Sequence, residues 1–287
     1  MGKRLMYFVG TNLAVMVLFG VVMSLLSSTL GIDSNGIVAL LIMSFLFGMA
    51  GSLISLAMSK TIAKRMVGAQ VITEPRNDAE RWVLETTYRL ADEAGIGRPE
   101  VAVYDSPDLN AFATGAKRND ALVAVSTGLL RSMRTNEVEA VLAHEISHVA
   151  NGDMVTLTLI QGVLNTLVIF ASRILGGIVD RVVFNRDSNG PGYYIFSILF
   201  QVVLGLFATL IVRWFSRRRE FRADAGGGAL TSNADMAAAL DRLRSGAEAD
   251  LPDQVAAMGI RGGKADGFRR LLMTHPPIEE RIAALRS

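Results

Sequence analysis

Residues 136–152 read Asn136-Glu137-Val138-Glu139-Ala140-Val141-Leu142-Ala143-His144-Glu145-Ile146-Ser147-His148-Val149-Ala150-Asn151-Gly152. Val138, Val141, Leu142 and Val149 follow the period of a helix, Asn136 is a candidate N-cap, and Asn151-Gly152 supplies a stop. On such a helix His144 and His148 project from one face, one turn apart, so two imidazole nitrogens can converge on one Zn²⁺ at about 2.0 to 2.1 Å. Glu145 falls in line with Leu142 and Val149 on the apolar stripe, where a carboxylate needs a reason. In a zinc site the reason is general base and acid work. The ion acidifies a water, and the glutamate takes its proton and later passes it to a leaving amine.

The chain has three histidines and no cysteine, so further ligands must come from His275, Asp or Glu. Two sources remain open. His275 is one; the other is Glu220-Phe221-Arg222-Ala223-Asp224, whose carboxylates at i and i+4 share a helical face and suit one ligand and one partner that orients a ligand. Gly226-Gly227-Gly228 follows at once, and each glycine costs a helix interior about 1 kcal/mol relative to alanine. A helix end or a loose turn is expected there.

Outside this region the chain is strongly apolar: 51% hydrophobic and 20% charged over 287 residues, with a net charge of +2. Lys and Arg cluster beside apolar runs instead of forming a stripe interleaved with aromatics, which points to membrane flanks and away from nucleic acid. Leu5 to Ile32 and Ser34 to Ser59 carry no charge and each exceeds the roughly 20 residues that cross about 30 Å of hydrocarbon. Lys3, Arg4, Lys60, Lys64 and Arg65 lie at the outer ends of this hairpin, which places both ends in the cytoplasm. Thr156 to Ser172 is a weaker span, interrupted by Gln161 and Asn165. Tyr193 to Val212 is a strong one, closed by Arg213, Trp214 and Arg217 to Arg219. On this topology Asn119 and Ala265 are cytoplasmic and Asn35 external.

The expected division is a membrane hairpin at 1–59, a first part of a cytoplasmic domain at 60–153, a second hairpin at 154–213, and a second part of that domain at 214–287. Between the hairpins the sequence predicts a helix from Asp78 to the glycine stop at Gly95. Short strands follow at Val101–Tyr104, Ala111–Thr114 and Leu122–Ser126. The fold class is therefore an α+β membrane protein, predominantly helical. About four transmembrane helices carry a zincin-like domain with a small sheet.

The combination of H-E-x-x-H, a pair of spans and E-F-R-A-D resembles the bacterial HtpX heat-shock membrane protease family. Asn110-Ala111-Phe112-Ala113-Thr114-Gly115 and the closing Thr274-His275-Pro276-Pro277-Ile278-Glu279-Glu280-Arg281 are similar to that family as well. The resemblance implies one zinc per chain with Glu220 as third ligand, and Asp224 bonded to a ligand histidine. It also implies His275 near the scissile carbonyl with Arg281 in support. Asn110, Ala111, Phe112 and Ala113 would be an edge strand that pairs with extended substrate.

The function so implied is a zinc endopeptidase of the bacterial inner membrane, multi-pass, which cuts misfolded or damaged membrane proteins on the cytoplasmic side under stress. No G-x-x-x-x-G-K-[ST] phosphate loop is present, so the reading is ATP-independent. A silent adaptor is the competing class, and a buried Glu145 argues against it. Glu137, Glu139 and Arg134 are read as keeping the H-E-x-x-H helix in water and out of the bilayer.

Overall fold

The computed structural model describes residues 36–185, 190–245 and 275–287. The span expected at Leu5–Ile32, Asn35 and Ala265 lie outside these residues. The described residues fall into two compact units, with bounds Met1–Ile54 with Leu159–Ala208, and Ser55–Thr158 with Thr209–Ser287.

Among the described residues three helices are long and apolar enough to cross a membrane: α1 (Ile37–Val67), α5 (Asp153–Phe184) and α6 (Pro191–Leu230). The third span expected from the sequence is thus stronger than its polar residues suggest. Gln161 Nε2 donates to Asn165 Oδ1 at 2.9 Å and Asn165 Nδ2 donates to Ser52 Oγ at 3.4 Å, so these groups bond inside the first unit instead of facing hydrocarbon. Large apolar side chains along all three helices, such as Phe45, Leu167 and Leu206, are exposed, as a lipid-facing surface requires.

The second unit is built on a four-stranded sheet: β1 (Gln70–Val71), β2 (Glu100–Tyr104), β3 (Ala111–Lys117) and β4 (Asp120–Ser126), in the order β1-β2-β4-β3. β2 and β4 run parallel, whereas β3 pairs antiparallel with β4 alone and forms a sheet edge among the described residues. Both faces are covered. Val101, Val123 and Val125 pack into the main core, and Ala102, Phe112, Leu122 and Ala124 pack with Ala63 of α1. Period-two alternation sorts these residues onto opposite faces.

The main core joins the sheet to α2 (Asp78–Glu93), α4 (Thr135–Asn151), α7 (Asn233–Ser245) and α8 (Ile278–Arg286); α3 (Thr127–Ser132) links β4 to α4. Capping differs from expectation by a residue or two. Asn77, not Asp78, caps α2 by accepting from Glu80 N at 2.8 Å. Arg134, not Asn136, is the N-cap of α4, where Glu137 Oε2 accepts from Arg134 N at 2.8 Å, and Asn136 instead donates to Asp235 Oδ1. Glu137 is therefore buried as part of the cap and is not a solvated charge. Glu139 pairs with Arg89.

Candidate active site

α4 is buried from Val138 through Val149, apart from Glu139, which is partly exposed. Gly152 ends it in the left-handed conformation, φ 68°, with its N–H bonded to His148 O and Val149 O. The stop read from Asn151-Gly152 rests on the one residue that adopts this φ without a Cβ penalty. α6 does not stop at its glycines but runs on to Leu230. The expected break is corrected by packing. A Cβ on Gly226 would stand 2.7 Å from Ser147 Oγ, and one on Gly227 would stand 3.1 Å from His144 N. Bare glycine lets α6 approach the backbone of the histidine helix, and this contact outweighs the cost in helix propensity.

That approach brings Glu220 against both histidines. His148 Nε2 lies 3.4 Å from Glu220 Oε1 and His144 Nε2 lies 3.7 Å from Glu220 Oε2. These separations are too long for good hydrogen bonds. Two ligands about 2.0 to 2.1 Å from one tetrahedral ion, however, stand roughly 3.3 to 3.4 Å apart. His144 Nε2 and Glu220 Oε1 are fully buried with no hydrogen-bond partner among the described residues. Buried polar atoms left orphaned in this way are costly unless something else satisfies them, and a single ion held by the three side chains would do so. The donor set fits zinc.

The partners behind these ligands are buried too. His144 Nδ1 faces Asp224 Oδ1 at 2.9 Å, an ion-pair distance outside hydrogen-bond angles. Arg281 forks Asp224, donating from Nε to Oδ2 at 2.7 Å and from Nη2 to Oδ1 at 2.6 Å. Asp224 therefore holds its register, and its cation is the C-terminal Arg281; the neighbouring Arg222 pairs with Asp153. Burial disfavours a charged His144, but the Asp224 and Glu220 carboxylates outweigh it and lift its pKa to about 9. A field that favours a proton there also favours a divalent cation. Burial likewise opposes the charge on Arg281, and Asp224, Glu220 and Glu145 together push its pKa up.

His275 Nδ1–H donates to Glu220 Oε2 at 2.7 Å, and its Nε2 is buried without a hydrogen-bond partner among the described residues. Burial pushes its pKa down, against the pull of Glu220. Arg281 Nη1 stands 3.7 Å from Glu220 Oε2, so its described contacts join the two carboxylates to each other. Glu145 is 3% exposed on the same helix as both histidines.

At the sheet edge, Ala111, Phe112 and Ala113 turn their side chains into the two cores, which leaves main chain as their offer to a substrate. Asn110 is committed by its backbone to Ser126, whereas its buried Nδ2 has no partner among the described residues. A cavity of about 330 Å³ opens where β3 ends, bounded by Thr114 to Arg118, His148, Val149 and Met154.

Sequence reading missed Asp153. It is 1% exposed, and His148 Nδ1–H donates to its Oδ2 at 2.7 Å, while its other oxygen takes Arg222. The signal was present as a lone carboxylate one residue past the helix stop, at the head of an apolar run.

A buried His-His-Glu donor set with a glutamate beside it, in a chain with membrane-length apolar helices, defines a zinc-dependent membrane metallopeptidase. Residues 77–287 match the model of peptidase family M48. The chain is 59% identical over 290 residues to a protein named protease HtpX from Xanthomonas oryzae pv. oryzae, covering 100% of this chain and 98% of that one. A protease HtpX from Alkalilimnicola ehrlichii is 55% identical over 293 residues, covering 99% and 97%. The crystal structure of S. mikatae Ste24p shares the fold with a TM-score of 0.67 at 18% identity; the match covers 99% of this chain and 66% of that one. The chain belongs to peptidase family M48, and its substrates are proteins.

Proposed function

We propose that this chain is an ATP-independent endopeptidase of the bacterial inner membrane that cuts misfolded or damaged membrane proteins at a site facing the cytoplasm. The observation that carries the chemistry is the buried trio His144, His148 and Glu220, whose potential ligand atoms lie within 4.8 Å of one another. His144, His148 and Glu220 would hold zinc, which would supply Lewis acidity toward a scissile carbonyl and an attacking water. Glu145 accepts the proton of that water and hands it to the leaving amine.

Asp224 orients His144 and is itself held by Arg281. His275 is anchored on Glu220 through Nδ1, and its Nε2 has no hydrogen-bond partner among the described residues. Negative charge developing on the substrate favours protonation of that nitrogen, so an imidazolium can donate to the oxyanion. Asn110, Ala111, Phe112 and Ala113 form the strand that binds extended substrate, through main chain and the Asn110 amide. Strand pairing of this kind needs an unfolded segment, and the absence of a nucleotide-binding loop agrees with substrates that arrive already disordered.

The cytoplasmic orientation is supported by Lys60, Lys64 and Arg65 on the last turns of α1, and by Arg213 and Arg217 to Arg219 on α6. Glu145→Gln tests the mechanism. The variant keeps the shape of the side chain but accepts no proton, so zinc stays while cleavage of an unfolded casein-type substrate drops about 10² to 10⁴-fold. Retention of more than about a tenth of the wild-type rate removes Glu145 from the mechanism.

A further inference from the structure

We infer that Asp153 is a positioning residue of the metal site: it sets the tautomer and direction of His148, and Arg222 holds it in place. The inference rests on the zinc reading of His144, His148 and Glu220.

His148 lies on the last turn of α4, and after the reversal at Gly152 the next residue is Asp153, the first of α5. This corner brings Asp153 Oδ2 within 2.7 Å of His148 Nδ1. An ionised carboxylate only accepts hydrogen bonds. The proton of the neutral ring therefore sits on Nδ1, and the Nε2 lone pair, 3.4 Å from Glu220 Oε1, is left as a donor to a metal that both atoms would share. The imidazole is held from behind by Asp153, which aims its Nε2 lone pair at the side of the metal site that Glu220 also faces.

Asp153 Oδ1 in turn takes Nη2 of Arg222. Arg222 is on α6, two residues beyond Glu220, so one stretch of one helix supplies both the carboxylate facing His148 and the cation that anchors the aspartate behind it. The arrangement matches the one at His144, where Asp224 stands behind Nδ1 and Arg281 behind Asp224. They differ in exposure. The Arg281 side chain is 0% exposed and that of Arg222 56%, so solvent screens the second pair and makes Arg222 the weaker support.

A purely structural reading makes Asp153 an acidic residue at a helix start, interacting with the helix dipole. That role affects stability alone. Zinc affinity separates the two, measured by competition with a chromogenic chelator on the purified full chain in detergent. Asp153→Ala is expected to weaken zinc by about 10 to 100-fold. Asp153→Asn, which still accepts a hydrogen bond, loses less, and Arg222→Met loses less again. The double variant Asp153→Ala with Arg222→Met is no weaker than Asp153→Ala, because the arginine acts through the aspartate.

With cobalt in place of zinc, the visible d–d bands of the Asp153 variants shift as the imidazole turns. If Asp153→Ala does not fold, Asp153→Asn carries the same test. Zinc affinity within twofold of wild type and an unchanged cobalt spectrum, alongside lowered thermal stability, overturn the inference and leave the peptidase reading intact. A wild-type chain that binds no zinc overturns both.

Discussion

At the scale of single residues, Glu220 and Asp224 are chemically alike yet placed differently. Glu220 faces both Nε2 atoms, whereas Asp224 stands behind one ring and is forked by Arg281. Glu220→Gln is therefore expected to abolish stoichiometric zinc together with activity, and Asp224→Asn to weaken zinc about 10 to 100-fold. Metal analysis after dialysis reads both, and a Glu220→Gln chain that keeps one zinc moves the third-ligand assignment to His275. Arg281→Met strands a buried carboxylate, and breaking such a pair costs about 3 to 5 kcal/mol. A lowered denaturant midpoint checks it; an unchanged midpoint removes the pair from the account of stability. The histidine pair was legible in the sequence because i and i+4 spacing acts within one helix. The fork between Asp224 and Arg281 was not, because 57 residues separate its partners.

At the scale of elements, local signals placed helices and strands well wherever the backbone decides the outcome. Three strands fall where alternation put them, each lengthened by a residue or more, and Gly95 and Gly152 both take positive φ. Local reasoning failed at Gly226 to Gly228, because helix propensity is a small term against tight packing of two helices. Gly227→Leu follows from this. With a Cβ only 3.1 Å from the His144 backbone, α4 must shift, at an overpacking cost of about 1 to 3 kcal/mol. Zinc binding falls with it, since His144 moves relative to Glu220. Urea unfolding and metal content check the pair of effects, and wild-type values for both indicate that α6 packs more loosely than the structure has it.

At the scale of the whole molecule, the basic flanks predict that the sheet-bearing unit faces the cytoplasm. Arg118 is exposed beside β4, and the chain has no native thiol, so Arg118→Cys labels cleanly. In intact cells a membrane-impermeant maleimide is expected to leave it unmodified, and labelling it after permeabilisation alone confirms accessibility. Labelling from outside reverses the orientation. The sequence by itself determined the apolar spans that fall among the described residues, the histidine helix and its buried glutamate, because length, hydropathy and the 3.6-residue period are properties of short contiguous stretches. Only the tertiary structure decided that Glu220 is the carboxylate facing both rings, that Arg281 and Arg222 stand behind Asp224 and Asp153, and that three glycines continue a helix instead of ending it. Each of these depends on which backbones come within a few ångströms of one another across dozens of residues, and no local period encodes that distance.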